Sequence, residues 1–317
     1  MPKKSKRSSA ANVLKLKLPA TSANLGPAFD AAGLALGMFL TLEVRPAEEF
    51  SIMASGLDSE ICGRVENHLM LTTYREVLEA EGKLVIPVSL RIQNEIPIGK
   101  GCGSSAAARL AGIVLAVHFG KLRWSNARII AEASRREHHS DNAAACWLGG
   151  FTVARTVSET EVQVAGIQPK QKWPLLLAIP AKALSTEEAR KVLPEQYSRA
   201  DTITNIQNSM MLFAAFTQGK SDLLASALHD RIHEPYRVRL CPLLPALQEL
   251  VGESGVLGVV LSGAGPSVLV FVDPKSSVKR TKAILEHHLL RKGLSAELVQ
   301  TQITTKGGAQ SGNWKAK

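Results

Sequence analysis

The segment Pro97-Ile-Gly-Lys-Gly-Cys-Gly-Ser-Ser-Ala106 runs directly into an alanine-rich apolar stretch that continues to Phe119. Glycines at every second position allow the backbone to approach a bulky anion and to turn its N–H groups toward it. The stretch that follows predicts a helix over residues 104–119, with two serines where N-caps belong. A helix N-terminus favours bound negative charge. We interpret the segment as a phosphate-binding loop, although it matches neither G-x-x-x-x-G-K-[ST] nor G-x-G-x-x-G; a flexible connector is the alternative.

The rest of the chain shows interleaved strand and helix patterns. Strands are predicted at Val13–Leu18, residues 38–45 and 84–92, after Leu148, at residues 173–179 and 295–299, and on both sides of a turn within Gly258–Ser267. Helices are predicted at residues 67–80, 125–136 and 276–291, with three or four more between residues 185 and 253. One of these carries Ile203, Ile206, Met210 and Phe213 on one face, the pattern of a helix that packs on a core. This order lacks the regular βαβ alternation of a doubly wound sheet and predicts an α+β architecture.

The charge of the chain is concentrated at its ends. The formal charge is +10, from 38 basic and 28 acidic residues. Four basic residues within residues 1–10 and three within residues 306–317 have no acid beside them, and without those seven the charge is +3. A nucleic-acid-binding protein that uses the basic tails is therefore an alternative function. Because the sequence lacks interleaved aromatic residues and a recognition motif, nucleic acid is not expected as a partner.

The cysteines and the longest uncharged run indicate the cellular compartment of the protein. Cys62, Cys102, Cys146 and Cys241 are scattered and form no C-x-x-C pair, so neither a disulfide framework nor a zinc site is predicted. This usage fits a reducing compartment, and a cytoplasmic protein is expected. The uncharged run Gly255–Val272 approaches membrane-spanning length, but its internal glycines and proline indicate two short strands around a turn. No membrane span is predicted.

Three further segments are candidates for chemistry. Pro19–Asp30 is a loop whose Asn24 and Asp30 could hydrogen-bond a hydroxyl or ammonium group, or could stabilise a turn. Glu137–Asn142 could hold a metal ligand and substrate contacts, or could be a helix entry capped by one of its last two residues. Gly258–Ser267 could press backbone against a ligand or against the first loop, or could form a simple hairpin.

In this order and at these separations, the four segments resemble the GHMP kinase superfamily, whose members phosphorylate small alcohols. The stretch PATSANLGPAFDAAGLAL at residues 19–36 is similar to the opening signature of the homoserine kinase family. Three more segments agree with that family: His139-x-Asp-Asn142, Ser185-Thr-Glu-Glu-Ala-Arg190 and Glu234-Pro-Tyr-Arg237. The resemblance runs from about Leu14 to the last predicted strand.

The resemblance implies a two-domain α+β fold. The N-terminal domain, residues 13–166, would bind ATP and contain a left-handed βαβ crossover like that of ribosomal protein S5. Residues 167–305 would form a C-terminal α+β domain, and basic tails would lie at residues 1–12 and 306–317. A shift in composition is consistent with a boundary between residues 13–166 and 167–305.

The resemblance also implies an activity and its cofactors. It implies an ATP-dependent kinase that transfers the γ-phosphoryl group to the side-chain hydroxyl of L-homoserine, in threonine biosynthesis, with Mg²⁺. The phosphate loop would bind ATP through Pro97, Gly99, Lys100, Gly101, Cys102, Gly103, Ser104 and Ser105. The metal ion would be held by Glu137 and Ser104. L-homoserine and ATP are the expected partners, and a homodimer is compatible with the resemblance.

Six polar residues would hold the substrate. By the resemblance, the amino and hydroxyl ends would meet Asn24, Asp30, His139 and Asn142, and the carboxylate would meet Arg190 and Arg237. These residue types suit the groups, because a guanidinium binds a carboxylate in bidentate fashion and a carboxylate binds an ammonium. Asp30 and Asn142 are the catalytic candidates. Asp30 is the one candidate base, although phosphoryl transfer depends mainly on positioning and charge neutralisation.

Two segments depart from the family pattern. Ala28 stands where glycine is usual, and His138-His-Ser replaces the more usual Gly-His-Pro. Every named polar contact is retained, so an active enzyme is expected. A GHMP kinase for another alcohol such as mevalonate is the nearest alternative; the two arginine motifs favour an amino acid, although mevalonate also carries a carboxylate. A noncatalytic sensor would be expected to lack Glu137 or Asp30, and both are present.

Overall fold

The computed structural model describes residues 13–311 and 313. Its strands are β1 (Leu14–Ala23), β2 (Ala32–Pro46), β3 (Ser51–Gly56), β4 (Val88–Asn94), β5 (Phe151–Ser158), β6 (Glu161–Ile167), β7 (Leu175–Ile179), β8 (Val256–Leu261), β9 (Val268–Val272) and β10 (Glu297–Thr301). Its helices are α1 (Ser59–Cys62), α2 (Leu69–Ala80), α3 (Ser104–Phe119), α4 (Asn126–Glu137), α5 (Asp141–Leu148), α6 (Thr186–Lys191), α7 (Arg199–Gln218), α8 (Ser221–Ala227), α9 (Glu234–Arg237), α10 (Leu243–Gln248) and α11 (Val278–Arg291). The predicted α+β class is confirmed.

The first sheet positions the glycine-rich segment. Its strand order is β3-β4-β2-β5-β6, with β1 paired to β2. The strand pairs are antiparallel except for β3 and β4, which are parallel and are connected through α1 and α2. Helices α3 and α5 pack on β1. The backbone N–H of Thr21 in β1 donates to the Cys102 carbonyl (3.0 Å), which fixes the glycine-rich segment to the end of this strand.

The second sheet is antiparallel, with the order β10-β7-β9-β8. On one face it packs on apolar residues of α10 and α11, including Leu247 and Leu285. A cluster of aromatic side chains connects the other face of this sheet to the first sheet. Phe216 of α7 stacks on Phe151 of β5 with ring centroids 4.2 Å apart, and it meets Phe271 of β9 edge-on. The two sheets therefore share one core, and a cleft runs between the loops that end them.

Strand β1 is longer than predicted. The sequence prediction ended the strand at Leu18 because Pro19 has no N–H to donate. The structure places a register shift between Pro19 and Ala20, after which the pairing with β2 resumes through Ala23. Such a bulge accommodates the proline. The small residues beyond it are buried on both faces, so helices can approach this part of the strand closely.

Two features of the middle of the chain were not predicted. Strand β6 pairs with β5 in a region that was interpreted as a domain boundary, and its residues are mostly exposed or half-buried. The predicted packing face of α7 is wrong: Ile203, Ile206 and Met210 are 49%, 58% and 64% exposed. The buried side of α7 instead contains Leu212 and Phe216. The buried side also contains the polar Asn205, so the apolar stripe in the first half of the helix does not mark the packed face.

The two predicted basic tails have different outcomes. The predicted tail at residues 1–12 lies outside the described residues. The predicted tail from residue 306 is in part folded, because Gly308 is buried in a 3₁₀ turn and the Lys17 N–H donates to Ser311 Oγ (3.0 Å). Among the described helices, none combines the length and the apolar composition needed to cross a bilayer. The four cysteines are free and buried.

Candidate active site

A cleft of about 580 Å³ collects most of the predicted site residues. The predicted residues that line it are Asn24, Asp30, Gly99, Gly101, Gly103, Ser104, Ser105, Glu137, His139, Asn142, Arg190 and Arg237. Pro97, Lys100 and Cys102 were predicted to contact ATP and do not line the cleft. Lys100 Nζ donates to the Ala181 carbonyl, and burial raises the pKa of the Cys102 thiol to about 12. The predicted ATP contacts of these three residues stay predictions.

The glycine loop, residues 97–103, needs its glycines for two separate reasons. Gly99, Gly101 and Gly103 all have positive φ angles, of 69°, 74° and 71°, which a residue with a Cβ adopts only with strain. The loop is also packed against its neighbours. A Cβ on Gly101 would lie 2.2 Å from the Ser262 carbonyl oxygen, and a Cβ on Gly103 would lie 1.9 Å from Thr21 Oγ1. The connector interpretation does not explain such tight packing.

Helix α3 begins in a way that suits an anion. It covers Ser104–Phe119 as predicted, but its N-cap is Gly103, and no side chain caps it. The prediction that the serines act as caps is therefore wrong, because both are helical residues. The first N–H groups of a helix have no partner within the helix and need one from elsewhere. At the edge of the cleft, these groups and the loop glycines form a surface that suits phosphate.

Glu137, the predicted metal ligand, is held by two neighbours from α3. Its Oε1 accepts from Ser105 Oγ (2.6 Å) and from Arg109 Nε, and its side chain is 10% exposed. Ser105 is thus the serine whose hydroxyl meets this carboxylate, and the predicted contact of Ser104 with the metal ion stays a prediction. A carboxylate and a hydroxyl at the end of a phosphate loop form a donor set that suits Mg²⁺, which usually takes one or two carboxylates together with phosphate oxygens and water.

Asn142 and His139 belong to one hydrogen-bonded group. Thr21 Oγ1 donates to Asn142 Oδ1 (2.6 Å), and His139 Nδ1 lies 2.7 Å from Asp141 Oδ1. Burial lowers the pKa of His139, but the hydrogen bond and the charge of Asp141 raise it by more, so the pKa lies above its ordinary value. Helix α5 begins at Asp141 with Ser140 as its N-cap. Neither of the two residues predicted as the cap has that position.

Asp30 and Arg190 face each other across the cleft. Arg190 Nη1 donates to Asp30 Oδ2 (3.0 Å), and Nη2 donates to Oδ1 (2.7 Å). Asn24 is 4% exposed; its Nδ2 donates to the Gly263 carbonyl (2.8 Å), and its Oδ1 accepts from the Asp30 N–H (2.9 Å). Asn24 therefore fixes the loop that presents Asp30 and ties it to the hairpin of β8 and β9. Its predicted substrate contact stays a prediction.

Arg237 is almost completely buried at 1% exposure, yet it lines the cleft. Its Nε donates to the Ala189 carbonyl (2.9 Å), and its Nη1 donates to His233 Nδ1 (3.0 Å). Because a guanidinium only donates, Nδ1 of His233 is the acceptor and the ring proton lies on Nε2, which donates to the Gly26 carbonyl (2.8 Å). Phe29 stacks on His233 and lies beneath both Arg190 and Arg237.

Part of the cleft wall is apolar. Ile61, Met70, Ile92, Ile96 and Ile98 line the cleft, together with polar residues of the same segments such as Arg64 and His68. The chemistry of the apolar residues suits a flat apolar group such as a nucleobase. They were not predicted from the sequence, because they come from four separate elements and connections.

Three polar residues that hold predicted site residues in place were not predicted from the sequence: Thr21, Arg109 and His233. Arg109 could have been found, because it follows Ser105 by four residues on a predicted helix and shares its face. His233 directly precedes a motif that was recognised. Thr21 gave no signal, because its contact with Asn142 joins residues 121 positions apart.

Comparison with known proteins agrees with this geometry. The model of the GHMP kinases N terminal domain matches residues 68–150, and that of the GHMP kinases C terminal domain matches residues 212–289. Homoserine kinase of Solibacter usitatus (strain Ellin6076) is 39% identical over 294 residues, which cover 92% of this chain and 95% of the relative. Homoserine kinase of Deinococcus radiodurans is 33% identical over 300 residues, covering 95% and 97%. The chain belongs to the homoserine kinase family.

Solved structures extend the likeness to the fold. A crystal structure of homoserine kinase from Cytophaga hutchinsonii has a TM-score of 0.78 at 21% identity and covers 97% of this chain and 98% of its own. Mevalonate kinase of L. major, in complex with R-mevalonate, has a TM-score of 0.66 at 13% identity, covering 96% and 100%. At these identities, the likeness shows the fold alone. The homoserine kinase family thus shares its fold with mevalonate kinase, and the resemblance drawn from the sequence motifs is confirmed.

Proposed function

We propose that this chain transfers the γ-phosphoryl group of ATP to the side-chain hydroxyl of L-homoserine, giving O-phospho-L-homoserine and ADP in threonine biosynthesis. One observation carries the proposal. A single cleft is lined by the glycine loop, by the uncapped N-terminus of α3 and by the charged side chains of Asp30, Arg190 and Arg237. The loop and the helix N-terminus suit phosphates, and the charged side chains suit a small zwitterion.

In the proposed complex, each end of the amino acid meets a group of opposite charge. Its carboxylate binds Arg190 and Arg237, and its ammonium binds Asp30. This orientation directs the side-chain hydroxyl toward the glycine loop, where His139 and Asn142 lie. Mevalonate has a carboxylate and no ammonium, so Asp30 would have no partner of opposite charge if mevalonate were the substrate.

The chain's own residues also account for phosphate binding. When bound, the metal ion and ATP supply the transferable group and neutralise part of its charge. Glu137 and Ser105 would hold the metal ion, and the N–H groups of the glycine loop and of α3 would bind the phosphate oxygens. The substrate hydroxyl oxygen forms the new bond to phosphorus while the bond to the ADP oxygen breaks, and the hydroxyl proton is released.

No strong side-chain base is required in this proposal. Both carboxylate oxygens of Asp30 accept hydrogen bonds from Arg190 in the free protein. In the proposed complex the substrate ammonium takes the place of Arg190, so Asp30 has a cationic partner in both states and is a poor proton acceptor. Phosphoryl transfer depends mainly on alignment and on charge neutralisation. Asn142 therefore acts by orienting the hydroxyl. Its Oδ1 is fixed by Thr21 for that purpose.

Identification of the product tests the proposal. Purified protein with ATP, Mg²⁺ and L-homoserine should give a stable phosphate monoester, seen by ³¹P NMR, with a stoichiometric amount of ADP. Glu137→Gln is the matched control and should form product far more slowly. An acyl phosphate, detected by its reaction with hydroxylamine, would mean that the carboxylate and not the hydroxyl is phosphorylated. No phosphorylated amino acid from the wild-type protein would refute the proposed function.

A further inference from the structure

The ion pair between Arg109 and Glu137 lies at the place where a metal ion would bind. Arg109 Nε and Ser105 Oγ both donate to Oε1 of Glu137. Ser105 and Arg109 are one helical turn apart on α3, and Glu137 is the last residue of α4. The Arg109 side chain is 25% exposed and that of Glu137 is 10% exposed, so the pair is only partly screened by solvent.

The two oxygens of Glu137 are not equivalent. In the described part of the chain, the hydrogen bonds to this carboxylate go to Oε1, while Glu137 also lines the cleft that Arg109 does not line. The guanidinium is thus bonded to a carboxylate that lines the cleft without lining the cleft itself. Oε2 accepts from neither Ser105 nor Arg109.

Arg109 makes this carboxylate a weak ligand for a free cation. A guanidinium beside a carboxylate neutralises its charge and also repels a divalent cation brought near it. No group of three or more acidic, histidine or cysteine side chains that could hold a metal ion occurs among the described residues. The free enzyme therefore offers little binding energy to a cation alone.

A cation that arrives with a nucleotide is in a different situation. The nucleotide phosphates surround the cation with negative oxygens, and they are themselves attracted to the N-terminus of α3. Repulsion between Arg109 and the cation is then offset. We propose that Arg109 is a positioning residue that prevents Glu137 from binding a divalent cation until the cation is delivered as a complex with the nucleotide. This inference rests on the proposed function, because it assumes that Glu137 is the metal ligand.

The competing explanation is a structural ion pair that only fastens α3 to α4. In that case, replacement of Arg109 would lower the stability of the fold and would leave the affinity for the cation unchanged. The two explanations therefore differ in a property that can be measured without turnover.

Binding of Mn²⁺ followed by EPR separates them, because the signal of free Mn²⁺ falls on binding. Without nucleotide, the wild-type protein should bind Mn²⁺ weakly, and Arg109→Met should bind it about tenfold more tightly, as expected when one guanidinium no longer neutralises the carboxylate. With a non-hydrolysable ATP analogue bound, the difference in Mn²⁺ affinity between the wild type and Arg109→Met should shrink or reverse. Arg109→Lys keeps the charge and should behave like the wild type without nucleotide.

Two controls complete the experiment. Arg135→Met removes another arginine–glutamate pair, that with Glu132 on α4, and should leave Mn²⁺ binding unchanged. Glu137→Gln added to Arg109→Met should abolish the gain in affinity. If Arg109→Met does not fold, a wild type and an Arg109→Lys variant that both bind Mn²⁺ tightly without nucleotide would overturn the inference.

Equal affinities of the wild type and Arg109→Met for Mn²⁺ without nucleotide would also overturn it. That outcome in an enzyme that phosphorylates homoserine would leave the proposed function intact. If homoserine is not phosphorylated, the product analysis shows it independently of the EPR result.

Discussion

Asp30 and Arg190, which are 160 positions apart, form a two-bond ion pair across the cleft, with N–O distances of 3.0 and 2.7 Å. The pair has the same two charges as the ends of an amino acid. A zwitterionic substrate can therefore replace it, with the ammonium on Asp30 and the carboxylate on Arg190, so that no charge is left without a partner. A substrate with only one of the two charges would leave one residue unpaired.

Loss of either arginine should weaken substrate binding specifically. Arg190→Ala and Arg237→Ala should each raise the KM for homoserine by a factor equivalent to about 1.5–3 kcal/mol, as expected for a lost charge-assisted hydrogen bond. The KM for ATP should hardly change. The two effects should be non-additive, since both residues act on one ligand group. Steady-state kinetics of both single variants and of the double variant measure these effects, with Arg199→Ala on α7 as the control. An unchanged KM for homoserine in both single variants would mean that the two arginines do not bind the substrate carboxylate.

Gly103→Ala should disrupt the phosphate loop. The new Cβ would lie 1.9 Å from Thr21 Oγ1 and 3.2 Å from Asn142 Oδ1, in addition to the strain of about 1–2 kcal/mol at a positive φ. We expect a lower unfolding temperature and a large rise in the KM for ATP. Gly82→Ala is the matched control, because Gly82 has a φ of 62° and its Cβ would meet nothing within 4 Å. Similar losses in both variants would mean that the contact with Thr21 has no special role.

His233→Phe should affect homoserine more than ATP. The phenyl ring keeps the stacking on Phe29 but loses the hydrogen bonds to Arg237 and to the Gly26 carbonyl. Arg237 then loses the acceptor that orients it. We expect a higher homoserine KM, an unchanged ATP KM and a folded protein, with the exposed His229 replaced in the same way as the control. A raised ATP KM of equal size would indicate a general disturbance of the cleft instead.

Stability should depend on pH through Glu234. Burial raises the pKa of this carboxyl to about 8, and its Oε1 accepts from the Leu261 N–H (2.7 Å). The folded state thus holds a proton that the unfolded state releases near its ordinary pKa of about 4.3. The free energy of unfolding should therefore fall as the pH rises from about 4 through 8, because the unfolded state binds fewer protons there.

Glu234→Gln should remove the fall in the free energy of unfolding with rising pH. The amide keeps an acceptor for Leu261 and has no charge to bury, so the variant should gain stability relative to the wild type as the pH rises. Urea unfolding at pH 5, 7 and 8.5 measures the difference, with the exposed Glu253→Gln as the control. Parallel pH curves for wild type and Glu234→Gln would show that this carboxyl does not carry the effect.

Local patterns predicted the elements well where a helix or strand is determined by its own residues. Helix α3 begins and ends where its apolar run predicts. The interpretation of the glycine loop before it as a phosphate-binding loop stays a prediction. Patterns failed where the partner of a residue is remote. The bulge at Pro19 depends on pairing with β2, and the exposed face of α7 depends on which neighbours cover the helix.

The site shows the same division. Residue types and motifs selected Glu137, Arg190 and Asp30 as candidates. They did not predict that Asp30 and Arg190 pair with each other or that Arg109 pairs with Glu137. Such contacts join distant parts of the chain, and a sequence pattern contains no distance between them.

A comparison of substrates distinguishes an amino acid from other alcohols as the acceptor. ADP formation in a coupled assay should be compared for L-homoserine, mevalonate and other small alcohols without an amino group at fixed ATP and Mg²⁺. The proposed contacts predict the highest kcat/KM for L-homoserine, because it would pair with Asp30 as well as with both arginines. A higher kcat/KM for mevalonate would contradict the account.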